Sequence, residues 1–393
     1  MAELRPLVHA ITPGDHFSPL TGSAVPTVVD GLSRAIIDRP ARVLVARGTY
    51  AERYDSAEAV EYEPAAARRS DRVLDLARSR LGLSRVGTKR QWAAALAGQG
   101  GWDPSVIVAH NGPELIPLID TGRHQAVLYA HNQLLATYGR REAGRCLDPV
   151  DAILCVSSYL AEATAERLPK RLCDRLCVVP NGVDANHFAA SGRPARGAEL
   201  RVIFVGRVVP DKGVHVLLEA VRRLGRKDLA VTIVGRPGFA AEAPLSRYEQ
   251  ELRRTARSVP GRVRFASFVE RSALPSVLHK ADVAVVPSVW PEPFGLTVLE
   301  AMAAGAATIA SRIGGIPEAG GDAAILIAPG DSAELATALE IFLEDDQKLA
   351  VAQAAAVAHA QRCSWTRSAE SLSAALAAIE GGGCDERWAV GTA

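Results

Sequence analysis

The sequence predicts an α/β protein built from two doubly wound, parallel-sheet domains. Short β-rich apolar runs alternate with segments of helical pattern, and both halves of the chain show this rhythm. A length of 393 residues suits two or three domains, and 48% apolar against 23% charged residues is the composition of a packed globular chain. In the first half, strands are expected at Leu7 to Ile11, Arg42 to Val45, Val106 to Ala109, Ala126 to Tyr129, Ala152 to Val156 and Leu176 to Val179. The small and turn-forming residues of Ala189-Ala-Ser-Gly-Arg-Pro-Ala-Arg-Gly-Ala198 then read as a linker, which bounds an N-terminal domain of residues 1–190. The second half, residues 191–365, is the more regular. Its strands are expected at Arg201 to Val205, Ala230 to Val234, Val263 to Phe265, Val283 to Val286, Ala307 to Ala310 and Ala324 to Ile327. A last helix, Ser368 to Ile379 within residues 366–380, precedes a Gly381-Gly-Gly-Cys-Asp tail that runs through 381–393.

Charge and targeting signals narrow the partners. A net charge of +1 gives no basis for nucleic-acid binding or for tight general attachment to an anionic membrane, so any membrane contact is expected to be peripheral at most. No apolar run approaches the ~20 residues that span a bilayer. Met1-Ala-Glu-Leu-Arg-Pro lacks the basic start and apolar core of a signal peptide. Six cysteines show no paired zinc spacing, and Cys173-x3-Cys177 alone is a weak metal signal. Free thiols in a reducing cytoplasm are the expectation.

The most informative stretch is Pro287-Ser-Val-Trp-Pro-Glu292-Pro-Phe-Gly-Leu-Thr-Val-Leu-Glu300-Ala-Met-Ala-Ala-Gly305. A short buried strand precedes it, and Leu296 to Ala304 reads as a helix closed by Gly305. Pro291 and Pro293 hold the backbone of Glu292 extended, and Gly295 permits close approach of a ligand. The free N–H groups of the following helix suit an anion such as a diphosphate. Two plainer readings stand beside this one. Thr297-x-x-Glu300 is also a capping box, and Glu292 reads equally as a solvated loop acid.

Ligands of open parallel sheets bind beyond the carboxyl ends of the strands. Arg207 and Lys212 follow the strand ending at Val205, flanked by Gly206 and Gly213, where two cations can neutralise a leaving diphosphate or serve as ordinary surface charges. The loop Thr12 to Ala24 follows the first strand and holds Gly22 and Ser23, a place that presents N–H groups to phosphate or forms a plain turn. His110 and His131 each end a strand and are each followed by asparagine. Either serves as a satisfied structural histidine.

Glu292 and Glu300 in this context resemble the Glu-x7-Glu donor-site signature of retaining glycosyltransferases of family 4. Phe204-Val-Gly206-Arg207-Val-Val-Pro-Asp-Lys212-Gly213, Val178-Val-Pro180-Asn181-Gly182-Val183-Asp184, Ser311-Arg-Ile-Gly314-Gly315-Ile-Pro317-Glu318 and Ser364-Trp365 fall in that family's order and spacing. The resemblance covers residues 150 to 370 most strongly. It implies the GT-B fold, two Rossmann-like domains facing across a cleft, with the acceptor in the first and the nucleotide sugar in the second. It also implies that the helix of 366–380 crosses back to the first domain.

Residue by residue, the resemblance assigns Arg207 and Lys212 to the donor phosphates, Glu300 to the ribose hydroxyls and Glu292 to hydroxyls of the transferred sugar. Backbone N–H groups of Phe294, Gly295, Leu296 and Thr297 hold the sugar and β-phosphate. Arg236 and Ser267 are candidates for the base pocket, with Ser267 standing where the family has glycine. Gly22-Ser23 stands where the family has two glycines. His131, rather than His110, matches the histidine near the donor sugar. The implied reaction moves a hexose or N-acetylhexosamine with retention, needs no metal or other cofactor, and uses a nucleoside diphosphate sugar, UDP by default. The acceptor is a small molecule, a glycan or a glycolipid. A nucleotide-sugar epimerase, a phosphorylase of the same fold, and a non-catalytic coat-associated protein are the alternatives.

Residues 68 to 90 hold eight basic residues against Asp71 and Asp75. They read as a solvated helical face, or as a surface for an anionic acceptor or lipid headgroups. Trp92 and Trp102 nearby stack on a sugar or fill core.

Overall fold

The computed structural model describes residues 4–66, 68, 70–189, 197–238 and 244–381. Most of the expected linker, residues 190–196, and the tail from 382 onward with Cys384 lie outside the described residues. The chain divides into two compact units. Of the described residues, one comprises those up to Pro19, those of Ser23–Asn181 and those from Trp365 to Gly381; the other comprises Leu20–Gly22 and those of Gly182–Ser364. The passage between units thus falls at Asn181 and Gly182, upstream of the glycine- and proline-containing stretch. Burial explains the difference. Val183 donates its N–H to the Cys363 carbonyl, and Phe188 is buried, so this segment is already packed into the second unit.

The first unit holds β1 (Leu7–Ala10), β2 (Ala41–Ala46), β3 (Glu58–Tyr62), β4 (Val106–His110), β5 (Gln125–Ala130), β6 (Ala152–Cys155) and β7 (Leu176–Val178). They form one parallel sheet in the order β3-β2-β1-β4-β5-β6-β7. β1, β4 and β6 are buried at every residue, which is why they read as largely apolar runs: a parallel sheet is covered on both faces. β3 escaped the sequence reading because it is an edge strand. Its Glu58 and Glu61 face out, pairing with Arg42 and Arg53.

The helix Trp365–Glu380 belongs to this unit. A side chain at Gly31 would lie 2.8 Å from Trp365 Nε1 and closer still to the ring carbons, so only glycine admits the indole against the helix Ala24–Ala35. At the far end, Arg39 donates two 2.8 Å hydrogen bonds to the Glu380 carboxylate.

The second unit repeats the plan with β8 (Leu200–Val205), β9 (Leu229–Val234), β10 (Arg262–Ala266), β11 (Val283–Val286), β12 (Ala307–Ser311) and β13 (Ala324–Ile327). The order is β10-β9-β8-β11-β12-β13, again parallel. Val202, Phe204, Val231, Ile233, Val283 and Val285 are buried in its core. Near the amino ends of the strands, Asp282, only 2% exposed, accepts from the Arg201 guanidinium at 2.8 and 2.7 Å and from its backbone N–H at 2.9 Å, which staples β8 to β11. In both sheets the chain reverses direction of winding after its first three strands, so that β1 lies beside β4 and β8 beside β11. Loops leaving such neighbours diverge and leave room for a ligand.

Candidate active site at the strand ends

In the second unit, the loops after β8 and β11 run against each other. Gly213 has φ +69°, and a side chain there would run into the Pro287 carbonyl; Val289 donates to the Asp211 carbonyl at 2.9 Å. This close approach brings Lys212 Nζ to 2.6 Å from Glu292 Oε1, an ion pair across loops that are 80 residues apart in the chain. Ser288, itself buried, donates its hydroxyl to the same oxygen at 2.9 Å. Glu292 Oε2 takes no hydrogen bond from the described residues.

The backbone of Glu292 is clasped by the loop after β12. Gly315 donates its N–H to the Glu292 carbonyl at 2.7 Å. Gly314, at φ +62°, lies so close that a Cβ would sit 2.6 Å from the Glu292 nitrogen. Just beyond, Gly295 at φ +106° starts the helix Leu296–Ala303, and no side chain caps it. Val298 donates its N–H back to the Gly295 carbonyl at 2.9 Å, and the N–H groups ahead of it are left for a ligand. Phe294 is buried, while Leu296 and Thr297 are half-buried at the mouth of this turn.

The capping-box alternative for Thr297 and Glu300 is not formed. The helix begins at Gly295, so Thr297 is already inside it and Glu300 lies beyond the first turn, out of reach of a cap. Glu300, 4% exposed, instead accepts from Arg271 Nη1 at 2.6 Å. Arg271 was missed in the sequence, although it follows β10 and so obeys the same rule of strand ends that singled out Arg207.

The other predicted residues of this unit lie differently. Arg207 is exposed, and among the described residues it has no ion pair or side-chain hydrogen bond. Arg236 is turned to Glu249, 3.5 Å away, which is buried and completes a capping box with Ser246. Ser267 is exposed.

In the first unit, Ser23 occupies the N-cap of the helix Ala24–Ala35, but its hydroxyl donates to Asp15 Oδ1 at 3.2 Å and does not cap the helix. Burial raises the Asp15 carboxyl. Gly22 is grouped with the second unit.

His131 does not stand alone. Its Nε2 is 2.8 Å from His110 Nδ1, and His110 Nε2 is 2.9 Å from Nδ1 of His9, which lies on β1. All three are buried, and burial lowers His131 to about 3, His9 to about 4 and His110 well below the ordinary value, so all are neutral at pH 7. Three neutral imidazoles carry one ring proton each. Both ring-to-ring hydrogen bonds then form only if all three hold it on the same kind of nitrogen, Nδ1 or Nε2. The choice between His110 and His131 therefore dissolves: they are links of one chain, with His9 as the third. Asn111, at φ +56°, accepts the His131 N–H at 2.8 Å and fixes the turn.

Trp92 is buried beneath Gly112 and fills core. Among the described residues, no three His, Cys, Asp or Glu side chains are grouped to hold a metal ion.

Two family models match the chain: Glycosyltransferase Family 4 over residues 25–187 and Glycosyl transferases group 1 over residues 191–358. The glycogen synthase of Mycobacterium tuberculosis is 30% identical over 319 residues, 77% of this chain and 72% of that protein. A phosphatidyl-myo-inositol mannosyltransferase of Mycolicibacterium smegmatis is 35% identical over 52% of each chain, and a D-inositol 3-phosphate glycosyltransferase of Nocardia farcinica is 36% identical over 51% of this chain and 46% of its own. Among solved structures, Anabaena HepE in complex with UDP superposes with a TM-score of 0.72 at 19% identity, covering 95% of this chain and all of that one. A sucrose-phosphate synthase from Thermosynechococcus elongatus gives 0.73 at 19% identity, over 96% and 100%. With two Rossmann-like units each matched by its own family model, and a relative aligned over more than two thirds of both chains, this chain belongs to glycosyltransferase family 4 and is a glycosyltransferase of the GT-B fold.

Proposed function

We propose that this enzyme transfers a hexose or N-acetylhexosamine with retention, from a UDP-sugar to an acceptor hydroxyl, without a required metal. The observation that carries the reading is the state of Glu292. One carboxylate oxygen is fixed by Lys212 and Ser288, and the other has no partner among the described residues, in front of an uncapped helix start. A carboxylate so held is an acceptor for sugar hydroxyls.

The diphosphate would then meet Lys212, Arg207 and the N–H groups of Phe294, Gly295, Leu296 and Thr297, which stabilise negative charge as the leaving group departs. Glu300, oriented by Arg271, would take the ribose hydroxyls, and Arg236 is the candidate beside the base. Gly22 of the second unit and Ser23 of the first would add N–H groups to phosphate, and His131 of the first would act on the reacting sugar. In the step itself the acceptor oxygen bonds to the anomeric carbon as the bond to the phosphate oxygen breaks. The acceptor proton passes to that phosphate oxygen on the same face. No protein nucleophile is needed. HepE in complex with UDP and UDP-glucose supports the donor class, and the glycogen synthase and inositol-directed relatives support a polar hydroxyl acceptor. Buried, free Cys146 and Cys155 suit a cytoplasmic enzyme.

The test is donor turnover in EDTA with UDP-glucose and UDP-N-acetylglucosamine, followed by proton NMR of the anomeric centre of the product. Retention without added metal supports the reading. Inversion, or a strict need for magnesium, overturns it.

A further inference from the structure

The helix Asp71–Arg80 is amphipathic the wrong way round for a helix of a folded core. Four of its six polar side chains face the protein and are consumed there. Asp71 pairs with Arg90 and accepts from the Arg68 N–H, Asp75 accepts from the Gly87 and Thr88 N–H groups at 2.8 and 3.0 Å, Arg78 donates to the Ser84 carbonyl at 2.7 Å, and Ser79 donates to Glu142 at 2.7 Å. Its apolar side chains face out. Among the described residues, six of the thirteen exposed large hydrophobics fall between 73 and 86: Val73, Leu74, Leu76, Leu81, Leu83 and Val86. Val73 is 72% and Leu81 74% exposed, far more than core packing would leave.

Charge frames this apolar surface. Arg72, Leu76 and Arg80 lie four residues apart, in one row of the helix, and both arginines are exposed. Neither arginine has an ion pair among the described residues, because Asp71 and Asp75 are engaged elsewhere. The patch is therefore apolar at its centre and cationic beside it, with Asp71 paired to Arg90 and Asp75 turned to backbone N–H groups.

We propose that this surface docks on a phospholipid bilayer containing anionic lipids, the leucines and valines entering the headgroup boundary while Arg72 and Arg80 meet lipid phosphates. A second copy of the chain is a poorer occupant. A two-fold contact would lay the same unneutralised arginines against each other and add no acids to pair them. Such docking would hold the enzyme at a membrane surface without a spanning segment, and it does not depend on which donor sugar is used.

The test is sedimentation of the full chain with vesicles, one set of phosphatidylcholine alone and one with added phosphatidylglycerol. Three variants are compared: wild type, Leu76→Glu with Leu81→Glu, and Arg72→Ala with Arg80→Ala. All altered residues are exposed, and circular dichroism confirms that each variant is folded. The wild type should bind the anionic vesicles and leave the neutral ones largely free. The leucine pair should abolish binding, and the arginine pair should weaken it roughly 25-fold, at about fivefold per cation. Three outcomes overturn the proposal: no binding of wild type to anionic vesicles, binding unchanged in both variants, or a wild-type dimer in analytical ultracentrifugation that the leucine pair dissolves.

Discussion

Replacing Gly314 by alanine tests how the backbone aims Glu292, and Gly225 supplies the control. Both glycines have nearly the same conformation, φ +62° and +63°, so alanine pays a similar left-handed penalty at each, about 1 kcal/mol. Their surroundings differ. Nothing lies within 4 Å of a Cβ at Gly225, whereas a Cβ at Gly314 would sit 2.6 Å from the Glu292 nitrogen. Relieving that overlap to an ordinary contact moves the Glu292 backbone by about 1 Å, at a further cost of about 1–3 kcal/mol. A displacement of that size at a residue that positions substrate reduces turnover roughly 100-fold. Gly225→Ala should therefore lose about 1 kcal/mol in urea denaturation and keep its kcat. Gly314→Ala should lose about 2–4 kcal/mol and about 100-fold in kcat, with UDP still bound. Equal kcat in the two variants would refute the claim that the Gly314-Gly315 loop positions Glu292.

Four other predictions follow from named contacts. Arg271→Ala strands the buried Glu300 carboxylate and should weaken UDP binding, read by calorimetry, by about 10-fold or more. Lys212→Ala removes the cation held by Glu292 and should weaken UDP by a similar factor, whereas Glu292→Gln should leave UDP affinity intact and lower kcat. Gly31→Ala should destabilise the first unit by about 1–3 kcal/mol in chemical denaturation, through collision with Trp365. For pH, His9 and His131 titrate lower in the fold than in the unfolded chain, so the unfolded state binds more protons below pH 6.5. Their contribution is complete above that value and is lost as pH falls towards about 4 and 3. Denaturation at pH 5 should show a loss of about 2 kcal/mol for each of these histidines relative to pH 7, and His9→Phe should remove one share of it.

Much of the fold was legible because buried parallel strands are short, apolar and regularly spaced; the strand-end rule then pointed to Arg207 and Lys212, and the Pro-Glu-Pro-Phe-Gly turn ahead of a helix to Glu292. Strand order was not legible. That β8 lies beside β11 is what pairs Lys212 with Glu292, and that β1, β4 and β5 are neighbours is what joins His9, His110 and His131; neither adjacency leaves a local trace. His9 is one polar residue inside an apolar strand, and nothing in the sequence around it signals a partner. β3 was hidden by its outward glutamates. The polar face of Asp71–Arg80 could not be assigned inward from sequence, since its partners Glu142, Gly87 and Thr88 lie outside the helix.

The central claim is that the second unit binds a uridine diphosphate sugar through Glu300, Lys212 and the uncapped helix start. Calorimetric titration of UDP, GDP and ADP into the wild type and Glu300→Ala, in EDTA, tests it most directly. The account predicts selective binding of UDP without metal and a loss of about tenfold or more in the variant. Selective binding of another nucleotide, or UDP binding unchanged by Glu300→Ala, would contradict it.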